Sequence, residues 1–214
     1  MFRKIKLADK VLLLIYDTQR ELASTFLRFQ EYYESPKFKG KYFTLEEFAK
    51  WYVEQKGSFT YYEDWIGFNI PSKILKPFYE GKFDPLSFKE KQLLESLKYE
   101  EGVFYLIGIH KEAYDIQNLL KHELAHSFYY TDKNYRERVD AILEKFDLEA
   151  VKQALRNTRG YEENVLLDEI QAQSVSGREK LKAALSEDMS NRIKEVFNSV
   201  LENKNINIEE IMKN

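Results

Sequence analysis

Apolar residues recur along this chain at two periods, and the switches between them predict its elements. Val11-Leu-Leu-Leu-Ile-Tyr16 is an unbroken apolar run, readable as a buried strand or as the lead-in to a helix. Asp17 and Thr18 can cap a helix beginning just after them, in which Leu22, Phe26, Phe29 and Tyr33 repeat at helical spacing until Ser35-Pro36. A basic, Gly-containing loop covers residues 37–41. Thr44-Leu-Glu-Glu47 reads as a capping box that opens a helix through Val53, with a stop near Gly57. Residues 58–71 are dense in aromatics and hold Trp65. Strand and turn are expected there, the rings filling a core beneath loops, with a binding surface as the alternative. A short helix at 73–79, a turn at 81–85 and a Ser87-capped helix to about Tyr99 complete the first hundred residues.

Glu101-Gly102 then breaks the pattern, and Val103-Phe-Tyr-Leu-Ile-Gly-Ile109 reads as a strand. Asp115 is a plausible N-cap for a helix at 116–130, whose apolar set is Ile116, Leu119, Leu120, Leu124 and Phe128. Everything after Asn134 has helical spacing, in segments at 135–146, 148–157, 161–174, 178–185, 189–203 and 208–212, with breaks at 158–160 and at Ser176-Gly177. No internal repeat, low-complexity tract or linker interrupts the chain. The expectation is an α+β fold, a mainly helical single domain with a small β-sheet. Within it, residues 1–100 form a mixed half of unassigned role, 101–175 a core around the 116–130 helix, and 176–214 C-terminal helices.

Composition narrows the function classes. A net charge of −3 over 214 residues gives no basic excess for nucleic acid. Cysteine is absent, which removes disulfides, thiolate metal ligands and a thiol nucleophile, and fits a reducing compartment. The Val11–Tyr16 run is too short for a signal segment, and nothing approaches a membrane span. The expected location is cytoplasmic.

The candidate chemistry lies in the 116–130 helix, as His122-Glu123-Leu124-Ala125-His126. On a helix, histidines at i and i+4 project from one side and can share one ion, while Glu123 lies beside that face as a base for a metal-held water. Two of the chain's three histidines fall in this H-E-x-x-H pattern, against a chance expectation of about 0.005 matches. Zn2+ suits imidazole donors and a site with one position left open for water.

Two imidazoles leave such a site one ligand short. No histidine follows His126, positions 129 and 132 are Tyr and Asp, and so a third imidazole would have to be His110. Among carboxylates, Glu169 is the leading candidate. Leu166, Glu169, Ile170 and Gln173 recur at i, i+3, i+4 and i+7, which puts an acid on a largely apolar face. Asp168, Glu162, Glu163 and Asp140 remain alternatives, as does His110.

His122-Glu-Leu-Ala-His126, taken with Leu167-Asp-Glu-Ile-Gln-Ala172, resembles the gluzincin branch of zinc metallopeptidases, over roughly residues 102–174. The resemblance implies a zincin-like core, peptide-bond hydrolysis with Glu123 as general base, ligands His122, His126 and Glu169, and a peptide or protein substrate. It further implies an edge strand before the motif helix, here 103–109, pairing with extended peptide, and an oxyanion donor, for which Tyr161, Tyr129, Tyr130 and Tyr135 are candidates. Larger members carry an aspartate four residues after the ligand glutamate to orient a histidine. Gln173 stands there, so Gln173 or Asp168 would have to substitute. The alternative is a non-catalytic or latent protein that keeps a metallopeptidase-like core, with no nucleic-acid or membrane partner in either case.

Overall fold

The computed structural model describes residues 2–159, 163–177 and 184–213. The fold class is α+β, predominantly helical with a four-stranded mixed sheet. Contacts within the chain divide it into two compact units, Met1–Tyr114 and Asp115–Asn214.

In the first unit the sheet has the order β1-β2-β4-β3, with β1 at Phe2–Ala8, β2 at Val11–Tyr16, β3 at Gly67–Pro71 and β4 at Tyr105–His110. The strand β1 has no apolar run to announce it. Its FRKIKLA sequence alternates charge with apolar residues, and it pairs antiparallel with β2 in a hairpin around Asp9-Lys10. Strands β2 and β4 are parallel, from Val11 opposite Tyr105 to Tyr16 opposite His110, and both are buried throughout. Because β4 also pairs with β3, it has neighbours on both sides. The sequence-based expectation of an edge strand at 103–109, free to add a peptide, is therefore corrected: β4 is internal.

Helix α1, Gln19–Glu34, is capped by the Thr18 side chain and packs on β3 and β4. Gly108 permits that approach, since a Cβ there would meet Leu22 and Phe26 at 2.7 and 2.8 Å. Helix α2, Leu45–Lys56, has the capping box at Thr44 and Glu47 and ends on Gly57 with φ 82°. Residues 58–71 form the short α3, Tyr61–Asp64, and then β3. Tyr61, Phe68 and Ile70 are buried in one apolar cluster with Phe26, Phe48 and Phe78, so these aromatics mainly fill a core. A 3-10 turn at Ser72–Leu75 runs into α4, Lys76–Tyr79, and Ser87 with Glu90 caps α5, Phe88–Leu97.

The second unit is helical. Among the described residues it comprises α6 (Ile116–Thr131), α7 (Lys133–Leu143), α8 (Glu149–Arg159), α9 (Glu163–Ser176), α10 (Glu187–Asn203) and α11 (Ile208–Lys213). Asp115 caps α6 by accepting from Asn118 N–H, and α9 ends at Gly177 with φ 66°. Of the break expected at 158–160, Thr158 and Arg159 continue α8, and Gly160 lies outside the described residues, as does most of the segment expected at 178–185. Helices α6 and α9 pack against each other, and α10 packs on α9 and α7. Both α6 and α9 are buried on several sides, unlike the one-sided α10, whose Met189, Ile193, Val196, Phe197 and Val200 alone face inward. Among the described residues no helix is long and apolar enough to cross a membrane.

Candidate metal centre

Two neighbouring helices of the second unit bring the chemistry together. From α6 come His122 and His126, one turn apart, with relative exposures of 5 % each. Their Nε2 atoms approach to 3.2 Å and their rings stand at 89° to one another. From α9 comes Glu169, whose Oε1 lies 3.7 Å from His126 Nε2. One donor atom from each of His122, His126 and Glu169 falls within 4.8 Å of the others, so the group can hold a metal ion. Leu166, Ile170 and Gln173 are buried along with Glu169, as the i, i+3, i+4, i+7 spacing requires.

The donor set fits a divalent cation on electrostatic grounds. Burial by itself would lower the His126 imidazole, but the carboxylates of Asp168, Glu169 and Glu123 outweigh it and hold it up at about 10. Without a metal the His126 imidazole therefore carries a proton, and a cation bound at Nε2 would take that proton's place.

Each outer imidazole nitrogen has a partner that leaves Nε2 facing the shared space. His126 Nδ1 lies 2.8 Å from Asp168 Oδ1. Gln171 Nε2 donates to the same carboxylate oxygen at 2.9 Å, and Tyr135 OH donates to Gln171 Oε1 at 2.7 Å. The chain Tyr135-Gln171-Asp168-His126 is thus continuous, and it fixes the orientation of the ring. His122 Nδ1 lies 3.4 Å from Ser176 Oγ, which itself donates to Ala172 O at 3.0 Å. Gln173 Nε2 donates to Glu169 Oε2 at 3.5 Å. Between the two substitutes considered for the missing aspartate, Asp168 takes the histidine and Gln173 takes the glutamate.

The competing ligands have other occupations. Asp168 supports His126 from behind. Glu163 is exposed and paired with Lys152 at 3.3 Å and Arg156 at 2.5 Å, and Asp140 accepts from Tyr129 OH at 2.5 Å. Glu162 and Tyr161 lie outside the described residues. His110 is on β4 of the first unit, 1 % exposed, and burial pushes its imidazole towards the neutral form against the opposing charge of Glu112. Of the oxyanion candidates, Tyr129 and Tyr135 have committed their hydroxyls to Asp140 and Gln171, and Tyr130 is half-buried.

Glu123 is 4 % exposed on α6 between the two histidines in sequence, where its charge acts on His126. Ser176 and the Tyr135-Gln171 relay escape a motif reading. Ser176 stands seven residues after Glu169, two turns on along the same face, and this spacing is the signal that points to it. No protein-family model, no curated protein and no solved structure matches this chain.

Proposed function

We propose that this protein is a zinc-dependent metallopeptidase of gluzincin type, with His122, His126 and Glu169 as ligands and Glu123 as general base. The observation that carries the reading is the buried His122/His126/Glu169 group, formed from an H-E-x-x-H helix and a second helix packed on it. Two imidazoles and a carboxylate suit zinc, and three protein ligands are the usual complement of a catalytic rather than a structural site. When bound, zinc supplies Lewis acidity, lowering the pKa of a coordinated water towards ~7. The chain's own part is to hold two imidazoles by their outer nitrogens, to exclude bulk water from the ligands, and to place the Glu123 carboxylate next to the first histidine. There Glu123 accepts a proton from the attacking water and returns it to the leaving amine. Peptide addition at β4 forms no part of this reading, since that strand is paired on both sides.

The test combines metal analysis with digestion of a broad peptide library by the purified chain. Zinc near one equivalent and cleavage are expected. Glu123→Ala should keep the zinc and lose cleavage by about 10²–10⁴-fold, the usual contribution of a general base. Cleavage surviving in that variant would refute the assignment. The near-complete burial of His122 and Glu123 favours a second reading, a latent or non-catalytic metal-binding protein. Stoichiometric zinc without cleavage by the intact chain would decide for it.

A further inference from the structure

The second unit contains a hollow of about 380 Å³ that the metal ligands do not line. Its walls are Asn118 and Lys121 of α6, Ser176 at the end of α9, and Lys194 and Asn198 of α10, over an apolar floor of Val175 and Phe197. Helical spacing accounts for the convergence. Asn118 and Lys121 are three residues apart on α6, while Lys194, Phe197 and Asn198 stand at i, i+3 and i+4 on α10.

Among the described residues the lining includes two lysines and no carboxylate residue. Neither lysine has an ion pair or hydrogen bond among the described residues, and the Asn198 amide is likewise uncommitted. Asn118 is different: its amide donates to Asp115 Oδ2 at 2.6 Å, which fixes it and leaves Asp115 engaged outside the hollow. Two lysines of like charge on the walls of one hollow disfavour each other's charge to an extent set by their separation. An anion bound in the hollow would offset that and give the lysines a partner. The volume exceeds what a bare oxyanion needs, and the Val175–Phe197 floor offers apolar surface for a small organic body.

We propose that this hollow binds a small organic oxyanion, a carboxylate or phosphate monoester, through Lys121 and Lys194 with Asn198 as a further donor. The site does not depend on the peptidase reading. It does adjoin the metal centre: the Ser176 hydroxyl that lines it is the group 3.4 Å from His122 Nδ1. A ligand oxygen touching Ser176 would therefore act on the imidazole from the side opposite Nε2.

The test titrates the full-length chain in EDTA with phenyl phosphate, benzoate and, as the neutral control, phenol, followed by calorimetry at constant ionic strength. Saturable binding of at least one anion is expected, with none for phenol, and the stronger of phenyl phosphate and benzoate identifies the headgroup. Lys121→Gln and Lys194→Gln should each weaken binding by about tenfold, the scale of one lost charge-assisted contact. Unsaturable uptake, or equal affinity in wild type and in a Lys121→Gln/Lys194→Gln double variant with an unchanged circular dichroism spectrum, would overturn the proposal. Because metal is absent from the assay, failure here leaves the zinc reading untouched, and loss of zinc binding elsewhere leaves this one untouched.

Discussion

The two units bury ionisable groups in opposite ways. In the first, Arg28 and Glu90 form a closed pair. Arg28 Nε and Nη2 donate to the two oxygens of Glu90 at 2.7 and 2.6 Å, and two further guanidinium donors reach Phe83 O at 2.8 Å and Pro85 O at 3.2 Å. Glu90 also accepts from Ser87 N–H at 2.7 Å as part of the α5 capping box. The charge is neutralised within the pair and four of the five guanidinium donors are bonded, so no outside partner is needed. In the second unit, His122, His126 and Glu169 are as deeply buried, yet their donor atoms converge on one shared space, and the carboxylates of Asp168, Glu169 and Glu123 all act on His126. The first arrangement is complete as a piece of structure. The second has room for a cation as a further partner.

That difference predicts unequal responses to losing one partner. Arg28→Met strands a buried carboxylate and should cost about 3–5 kcal/mol, read as a drop in urea midpoint at unchanged m-value. A loss below about 1 kcal/mol would mean that the pair is not the closed unit its geometry describes.

Glu31 offers an intermediate case within the first unit. Burial raises its carboxyl to about 7, against the opposing pull of the Tyr61 and Ser35 hydroxyls. The folded value lies above the ordinary value of 4.5, so the folded state favours the protonated acid. Its contribution is complete below pH 4.5 and is lost as pH rises through about 7. Between those limits wild type should lose about 3 kcal/mol that Glu31→Gln retains, measured by denaturation at pH 5 and pH 8. Parallel pH profiles for the two proteins would exclude this residue as the cause.

Glu169→Gln probes the open arrangement itself. With no metal present it strands no guanidinium, so the midpoint in EDTA should fall less than for Arg28→Met. Zinc affinity should nevertheless drop by about a hundredfold or more, a loss at least as large as those seen when supporting residues are removed. Competition with a chromophoric chelator measures it. Zinc held as tightly as in wild type would remove Glu169 from the ligand set.

Legibility in the sequence follows the same division. Elements with their own local signals stand close to where pattern places them: the Thr44 capping box, the Ser87 N-cap, which the structure completes as a capping box with Glu90, and the Gly57 stop; the apolar run Val11–Tyr16, open between strand and helix in sequence, is the strand β2. The strand β1 is missed because three of its seven side chains are charged and its pairing with β2 decides its state. Strand β4 is found, but its neighbours are not, since lateral order in a sheet is set by tertiary contacts that no local window contains. At the metal centre, His122, Glu123 and His126 come from a motif and Glu169 from a face. The residues behind them are less visible. Asp168 could be weighed only as one of several acids, and Ser176 and Gln171 have no motif at all, because a hydrogen bond to the outer side of an imidazole can come from many side chains and many spacings.

The smallest predicted effect concerns that outer layer, and it sharpens the contrast with Arg28 and Glu90. In the closed pair the support and the charge are the same atoms, so one cannot be removed while keeping the other. In the metal centre they are separate: Asp168 contacts His126 Nδ1, on the side away from Nε2, and its side chain is 29 % exposed. Asp168→Asn keeps an acceptor for the imidazole N–H but removes the negative charge, while Asp168→Ala removes both. Zinc affinity should therefore fall in two steps, by about tenfold for the asparagine and nearer a hundredfold for the alanine, with unfolding in EDTA changed little. Equal losses in the two variants would make the charge, and not the orientation of the ring, the whole contribution of Asp168. No loss in either would mean that His126 is oriented by its packing between α6 and α9 alone.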